Sequence, residues 1–397
     1  MSKDKKQDLS EVEGLIPELR FPEFVNEGEW EEITIEKVGD VVTGGTPSKE
    51  ENEYWGGDFV WVTAQDFKEK YIYNSVLKLT KKGKDKSRVI PKNSVLVTCI
   101  ASIGLNGINK VECATNQQIN SVICNSSNHY EFVYYSISKN ITRLKNLAGQ
   151  TAVPIISKSV FEKFTIQKPQ KPEEQQKIAS CLSSLDEVIA AHSQKLESLK
   201  DHKKGLMQNL FPQDGEKVPK YRFKEFEKDG KWVKKTLEQL FEIGNGRDYK
   251  HLGKGEIPVY GSGGYMLSVD DYLFDGESVC IGRKGTIDKP MYLIGKFWTV
   301  DTLFYTHSFK DCFPKYIFYV FENINWREHN EAGGIPSLSK TNIYKIEVLV
   351  PKPNEQQKIA GCLSSLDDLI AAQAEKIEQL KLHKKGLMQG LFPKIND

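Results

Sequence analysis

A repeating pattern of apolar residues marks two long stretches of the chain. Over 173–212 the apolar residues alternate three and four positions apart, which predicts an α-helix with a coiled-coil seam. The stretch recurs over 354–393, with 29 of 40 residues identical. Each helix is predicted to begin after a proline and to stop at a Phe-Pro pair, because proline cannot continue the helical hydrogen bonds. The seam residues are Ile178, Leu182, Leu185, Ile189, Leu196, Leu199, Leu206 and Leu210 in the first copy and Ile359, Leu363, Leu366, Ile370, Ile377, Leu380, Leu387 and Leu391 in the second.

A helix of this length forms a rod of about 55 Å. An isolated rod would leave its apolar seam in water, so we predict that the two helices pack on each other as an antiparallel coiled coil. Two polar residues interrupt each seam, His192 and Lys203 in the first and Gln373 and Lys384 in the second. Polar residues at matched seam positions would fix the register. The alternative is two separate helices, each covering its own domain.

Two shorter motifs frame the sequence before each helix. The opening motif reads PELRFPEF from Pro17 and recurs as PKYRFKEF from Pro219, each time followed by a tryptophan. The closing motif reads AVPIISK from Ala152 and recurs as GIPSLSK from Gly334. This order predicts a tail at 1–16, a first variable domain at 17–172, a helix at 173–212, a second variable domain at 213–353, a helix at 354–393 and a tail at 394–397.

Both variable domains are predicted to be α/β. Apolar and β-branched runs at 94–98, 121–124 and 346–350 indicate strands, and they alternate with short helical stretches and glycine-rich turns. Each domain is long enough to bury its own core. The predicted fold class is therefore two α/β domains in a pseudo-twofold tandem repeat, separated and joined by the two long helices.

Composition limits the function classes. No hydrophobic stretch is long enough to span a bilayer and the N-terminal residues do not form a signal peptide, so we expect a soluble, cytoplasmic protein. The seven cysteines include no Cys-x-x-Cys pair, which argues against a disulfide framework and a zinc site. Phosphate-loop, dinucleotide-binding, zinc-protease and hydrolase-elbow motifs are missing. We therefore interpret the chain as a binding protein with no catalytic or metal site.

The ordered duplication resembles the specificity subunits of type I restriction-modification systems. The opening motif, the Glu-Gln-Gln-Lys-Ile-Ala helix starts and the Lys-Lys-Gly-Leu-Met-Gln helix ends are typical of that family. The resemblance implies that the variable domains are target-recognition domains of a non-catalytic DNA reader, which assembles with two methyltransferase subunits and two restriction subunits. S-adenosylmethionine, ATP and magnesium would then be bound by those partners and not by this chain.

Two different readers in tandem predict a bipartite, asymmetric DNA target, because each domain would contact its own half-site. The length of the unread spacer would follow the coiled coil. The formal net charge is only +1, whereas nucleic-acid-binding proteins often carry a basic excess. We therefore expect weak DNA binding by the chain alone and strong binding by the assembled complex.

Candidate DNA-contacting residues lie in polar, glycine-rich loops. Glycines let the backbone approach a phosphate, basic residues follow the phosphate backbone, and amides and hydroxyls suit base edges, with adenine favoured by Asn or Gln. For the basic run near residue 84, a solvated charged loop is the alternative. The candidates in the first domain are Gly44, Gly45, Thr46, Lys81, Lys82, Lys84, Arg88, Ser102, Gly104, Gln117, Gln118, Gln150 and Thr151. Those in the second domain are Arg247, Lys250, Ser262, Gly263, Arg283, Lys284 and Thr286.

The repeated helix surfaces are candidate partner sites, because two like surfaces can hold two copies of one partner. Near the helix starts, Gln175 and Lys177 recur as Gln356 and Lys358. At the helix ends, four apolar residues are predicted to contact the methyltransferase subunits: Leu206, Met207, Leu387 and Met388.

Three other functions stay open from the sequence. A DNA reader of a different modification or defence system would share these motifs. A coiled-coil adaptor without a nucleic-acid ligand would share the helices. A nuclease would need clustered carboxylates, for which scattered residues such as Asp58, Asp66 and Asp301 are candidates.

Overall fold

The computed structural model describes residues 15–149 and 153–394. The chain divides into two compact units. The first contains the described residues of 1–192 and 376–397, and the second contains 193–375. Each unit therefore combines one variable domain with about half of each long helix.

The strands of the first unit form three sheets among the described residues. A five-stranded sheet has the order β2-β9-β6-β7-β4, a three-stranded sheet has the order β5-β3-β8, and β1 pairs with β10. The pairs β3–β8 and β4–β7 are parallel, and the others are antiparallel. The strands are β1 (Glu31–Thr34), β2 (Gly39–Thr43), β3 (Trp55–Val62), β4 (Tyr71–Ile72), β5 (Lys78–Leu79), β6 (Val95–Thr98), β7 (Asn106–Asn109), β8 (Ala114–Thr115), β9 (Ile119–Cys124) and β10 (Thr165–Lys168).

The second unit has a similar arrangement. Its two four-stranded sheets have the orders β12-β19-β16-β17 and β14-β13-β18-β15, and β11 pairs with β20. The pair β13–β18 is parallel, as β3–β8 is in the first unit. The strands are β11 (Val233–Thr236), β12 (Glu242–Asn245), β13 (Lys254–Gly261), β14 (Gly264–Val269), β15 (Phe274–Asp275), β16 (Ser278–Gly282), β17 (Met291–Leu293), β18 (Lys296–Thr299), β19 (Leu303–His307) and β20 (Glu347–Val350).

Short helices cover the sheets, and two long helices follow the variable domains. In the first unit Val133 and Ile137 of the third helix are fully buried against the five-stranded sheet, which contributes Val95 and Val122 to the same core. The predicted α/β class is confirmed for both domains. The helices are α1 (Ile35–Val38), α2 (Lys81–Asp85), α3 (Tyr130–Lys139), α4 (Ile141–Asn146), α5 (Lys158–Glu162), α6 (Pro172–Leu210), α7 (Pro314–Asn323), α8 (Lys340–Lys345) and α9 (Pro353–Leu391).

In each unit the start of one long helix packs against the end of the other. Ile178 near the start of α6 shares a buried cluster with Leu391 at the end of α9. In the second unit Leu210 at the end of α6 shares a cluster with Ile359 and Leu363 near the start of α9. The helices are therefore paired and antiparallel. The predicted coiled coil is confirmed, and the alternative of two unpaired helices is wrong.

A buried ion pair joins each opening motif to the first turn of a long helix. The Arg222 guanidinium donates hydrogen bonds of 2.8 and 2.7 Å to the Glu355 carboxylate. In the first unit Arg20 donates two bonds of 2.8 Å to Glu174. Both glutamate side chains are only 1% exposed. The bonds with the glutamates raise the pKa of each arginine. This pairing explains why the arginine and the glutamate recur together.

The repeated glutamines beside these glutamates also bind within the chain. The Gln175 side-chain oxygen accepts the backbone N–H of His129 at 3.0 Å, just before α3. The Gln356 oxygen accepts the backbone N–H of Phe313 at 3.2 Å, just before α7. Both glutamines are fully buried. Because these bonds cap helices of the variable domains, intrachain contacts explain the recurrence that the sequence had associated with a partner surface.

The lysines that interrupt the helix seams pair across the two helices. Lys203 of α6 lies 2.8 Å from Asp367 of α9, and the same carboxylate accepts the Tyr319 hydroxyl at 2.8 Å. The first unit repeats this arrangement with Lys384, Asp186 and Tyr135. Each variable domain is thus connected through a tyrosine to the charged position of the seam.

Among the described residues, no helix is both long enough and apolar enough to cross a membrane.

Candidate nucleic-acid interface

The same backbone hydrogen bonds hold one loop scaffold in both units. In the first unit the Gly44 N–H donates to the Ile119 carbonyl at 3.0 Å and the Gly45 N–H to the Thr115 carbonyl at 2.8 Å. The second unit has equivalent bonds from Gly246 to Leu303 and from Arg247 to Thr299. The loop after β2 and the loop after β12 therefore have matched positions.

A second set of matched bonds fixes a turn in the middle of each scaffold, which we term the central turn. It comprises 116–118 in the first unit and 300–302 in the second. The carbonyl of the last residue in each turn accepts a backbone hydrogen bond from a neighbouring loop. In the first unit the Cys99 N–H, after β6, donates to the Gln118 carbonyl at 2.7 Å, and in the second unit the Arg283 N–H, after β16, donates to the Thr302 carbonyl at 2.8 Å. The closing motifs form hydrogen bonds with the same loops: the Ile156 N–H donates to the Cys99 carbonyl, and the Leu338 N–H donates to the Arg283 carbonyl.

The structure brings together several candidates of the first domain around its central turn. The Thr46 hydroxyl donates to the Gln117 side-chain oxygen at 2.5 Å, and both residues lie on the surface. Gln118 accepts a bond of 3.0 Å from the Asn116 amide. A β-carbon at Gly44 would lie 2.2 Å from the Asn116 carbonyl oxygen, so this close approach explains the glycine. A β-carbon at Gly45 would meet no atom within 4 Å.

The loop after β6 contains two further candidates. Ser102 is exposed, and its carbonyl accepts the Thr98 hydroxyl. Gly104 is buried with a positive φ of 91°, and a β-carbon there would lie 2.6 Å from the Ile141 side chain. Gly104 is therefore explained by the backbone conformation and close packing of this turn. Gln150 and Thr151 lie outside the described residues.

Much of the basic run is already paired with acidic groups. Lys82 lies 2.6 Å from Glu53, and Lys84 lies 2.5 Å from Glu112. Arg88 donates to the Thr43 carbonyl at 2.6 Å, which ties it to the strand that leads into the Thr46 loop. Lys81 begins α2 and makes no ion pair or side-chain hydrogen bond with the part of the chain that the structure describes. Within this run, Lys81 is the candidate most available to a phosphate.

In the second unit Arg283 and Lys284 line an open cleft of about 670 Å³. Lys340 at the start of α8 lines the same cleft and donates to the Ile243 carbonyl at 2.6 Å. Burial lowers the pKa of Lys340, and the positive charge of Arg283 lowers it further. Three cations therefore face one cleft, with Glu331 as the acid that lines it. Sequence reasoning missed Lys340, although it recurs in the closing motif as the equivalent of Lys158.

A second cleft, of about 580 Å³, contains three further candidates of the second domain. Lys250, Ser262 and Gly263 line it. A β-carbon at Gly285 would lie 3.2 Å from the Ser262 hydroxyl, so the loop that carries Arg283 lies beside this cleft. The Thr286 carbonyl packs against Gly282. The structure therefore brings the predicted contacts of the second domain around its central turn.

A buried tryptophan forms a hydrogen bond with the loop after β2 or β12 in each unit. The Trp61 and Trp298 side chains are only 3% and 5% exposed. The Trp61 indole donates to the Gly45 carbonyl at 3.2 Å, and the Trp298 indole donates to the Arg247 carbonyl at 2.8 Å. The two tryptophans come from different strands, β3 and β18, yet each fixes the equivalent loop position. They are core residues that position the candidate surface.

The carboxylates considered for a nuclease do not form a cluster that could bind a metal ion among the described residues. Asp66 accepts backbone N–H groups of Thr63 and Val76, at 2.8 and 2.9 Å, and so closes a turn. Within the described ranges no group of three or more His, Cys, Asp or Glu residues could hold a metal ion.

The predicted partner residues lie at the helix ends, half-buried against their own domains. Leu206 and Met207 pack against the core of the second unit. Leu387 and Met388 pack against Trp30 and its neighbours in the first unit. Part of each side chain remains accessible.

Comparison with known proteins identifies relatives over nearly the whole chain. The family model of the type I restriction modification DNA specificity domain matches residues 27–201 and 229–382, which is more than half of the sequence. The MjaIX specificity subunit of Methanocaldococcus jannaschii is 35% identical over 190 residues, or 46% of this chain and 44% of that protein. The EcoprrI specificity subunit of Escherichia coli is 22% identical over 373 residues, or 89% of this chain and 91% of that protein.

A solved structure shares the fold. The S subunit of a type I restriction-modification system from M. genitalium superposes with a TM-score of 0.67 at 19% sequence identity. The match covers 96% of this chain and all of that one.

Proposed function

The chain belongs to the type I restriction-modification DNA specificity family, and on that premise we propose that it reads a bipartite, asymmetric DNA sequence on behalf of catalytic partner subunits. One observation carries the proposal. The two units hold their central turns with the same backbone hydrogen bonds but present different side chains on them. A shared scaffold with different surface groups suits two half-sites of different sequence.

The paired helices would set the distance between the half-sites. Because both variable domains are fastened to the ends of these helices by buried ion pairs, the helix length would determine the unread spacer. Inserting one or two helical turns into both helices is expected to change the spacer and leave the half-sites unchanged. An active complex with an unchanged spacer would contradict this role.

The chain would contribute recognition, and its partners the chemistry. Two methyltransferase subunits would dock near the half-exposed helix ends at Leu206, Met207, Leu387 and Met388, and two restriction subunits would complete the assembly. S-adenosylmethionine, ATP and magnesium would be bound by those subunits. Since acidic residues already pair with Lys82 and Lys84, the chain alone would bind DNA weakly, and its partners would supply most of the phosphate contacts.

The proposal is tested by co-expressing the chain with the methyltransferase subunit of its own system and mapping N6-methyladenine across the host genome by long-read sequencing. We expect one bipartite motif with a methylated adenine on each strand. Cells that carry the methyltransferase subunit alone are the control. A correctly assembled complex that binds S-adenosylmethionine and yet methylates no motif would contradict the proposal.

A further inference from the structure

The matched backbone bonds identify which surface residues of the two units occupy equivalent positions. Because Gly44 matches Gly246, and Gln118 matches Thr302, the positions between and beside them can be aligned without any similarity of side chains. Two exposed pairs result from this alignment: Thr46 matches Asp248, and Gln117 matches Asp301. The first pair of positions lies on the loop after β2 or β12, and the second lies at the middle of the central turn.

In the first unit the two positions hold a neutral, preorganised pair. The Thr46 hydroxyl donates to the Gln117 side-chain oxygen at 2.5 Å. An amide oxygen has two lone pairs, so Gln117 can still accept one hydrogen bond while its NH₂ group donates. That combination matches the amino group and N7 acceptor of adenine in the major groove.

In the second unit the same two positions hold carboxylates. Asp248 and Asp301 are exposed and line one cleft, and neither side chain makes an ion pair or hydrogen bond with the residues that the structure describes. DNA phosphates would repel both carboxylates. If this turn faces DNA, the carboxylates therefore need a hydrogen-bond donor on a base edge, from which they can accept a bond. The amino group of cytosine is the major-groove donor to which Asp and Glu bind.

We propose that Gln117 and Asp301 are the matched specificity-determining residues of the two domains, the amide reading an adenine and the carboxylate reading a cytosine amino group. Thr46 is a positioning residue for Gln117. Lys250, which lines the cleft with Asp301, supplies positive charge that offsets phosphate repulsion. The inference rests on the proposed function, because it assigns residues to the DNA reading proposed above.

The test compares methylated motifs of complexes that carry Asp301→Asn, Gln117→Glu or Thr46→Val. Asp301→Asn is expected to lower discrimination for C·G at one base pair of one half-site by roughly tenfold or more and to admit adenine there, since Asn pairs with adenine. Gln117→Glu is expected to alter one base pair of the other half-site only. Thr46→Val should weaken preference at that same base pair, and Thr46→Ser should preserve it. Asp275→Asn, another exposed aspartate of the second unit, is the control and should leave the motif unchanged.

Co-purification with the methyltransferase subunit establishes that each variant is assembled. Base frequencies at every motif position that are the same in assembled Asp301→Asn and wild-type complexes would overturn the inference while leaving the proposed function intact. A wild-type complex that methylates no motif would instead overturn the proposed function, and the inference with it.

Discussion

Replacing Arg222 with methionine should loosen the junction between the second opening motif and α9. The substitution keeps much of the side-chain volume but removes both hydrogen bonds to Glu355. Glu355 is only 1% exposed and would retain a single bond of 3.3 Å from the Trp232 indole. The perturbation therefore leaves a carboxylate buried with one neutral donor.

The expected cost follows from that burial. Removing one partner of a buried ion pair costs about 3–5 kcal/mol, because the other charge is left without compensation. The bond from Arg222 to the Gly230 carbonyl, at 2.6 Å, is lost as well, whereas the Trp232 bond is present in both proteins and leaves the buried carboxylate one neutral donor. We therefore expect a loss of about 3–4 kcal/mol in the local opening free energy, which corresponds to more than hundredfold faster hydrogen exchange in the first turns of α9.

Hydrogen-exchange mass spectrometry of the whole chain measures this loss by segment. Lys358→Met is a matched control, because Lys358 and Glu225 form a neighbouring pair at 3.1 Å whose side chains are about half exposed. Such surface pairs contribute about 0–1 kcal/mol. Adding Glu355→Gln to Arg222→Met should recover part of the protection, since no buried charge then remains. If Arg222→Met exchanged no faster than Lys358→Met, the buried ion pair would not be what stabilises this junction.

Three further predictions concern other parts of the molecule. Lys203→Met should speed exchange near the end of α6 by roughly tenfold, because its side chain is only 18% exposed between Asp367 and Glu322; the solvent-exposed Lys200→Met is the control. Burial lowers the pKa of Lys70 to about 8, an effect that nearby carboxylates only partly oppose, whereas the unfolded chain keeps this proton to about pH 10.4. At this residue the unfolded state therefore binds more protons between these values, so the unfolding temperature of the wild-type chain should rise relative to that of Lys70→Met as the pH increases from about 8 to 10. A difference between the two proteins that does not change with pH would contradict the assignment. A β-carbon at Gly246 would lie 1.8 Å from the Val300 carbonyl oxygen of the central turn, so Gly246→Ala should reduce motif methylation by roughly tenfold or more. Gly333→Ala, whose β-carbon would meet no atom within 4 Å, is the control and should leave methylation unchanged.

The long helices could be predicted from sequence because their signal is local and repeated. Seam residues such as Ile178 and Leu363 recur at heptad spacing over several turns, and the two copies are nearly identical. The strands at 94–98, 121–124 and 346–350 were also detectable, because apolar runs bounded by turn residues mark buried strands. The α/β class and the paired helices follow from these local signals.

The candidate surface was less predictable because it depends on long-range pairing. Thr46 and Gln117 are 71 residues apart in sequence and meet only because the Gly44 and Gly45 backbone groups bond to the ends of β8 and β9. The match between Gln117 and Asp301 left no trace in residue type, so Asp301 could only be considered as a scattered carboxylate. The recurrence of Gln175, conversely, gave a clear signal whose cause is an intrachain helix cap.

We propose that each unit reads its own half-site from one shared scaffold. It is tested most directly by a chimera in which the second variable domain, 213–353, is replaced by the first, 17–172, with both long helices retained. The chimera is co-expressed with the methyltransferase subunit, and its methylated motif is mapped beside that of the wild-type complex. We expect a symmetric motif built from two copies of one wild-type half-site. An assembled, active chimera that still methylated the wild-type asymmetric motif would contradict it.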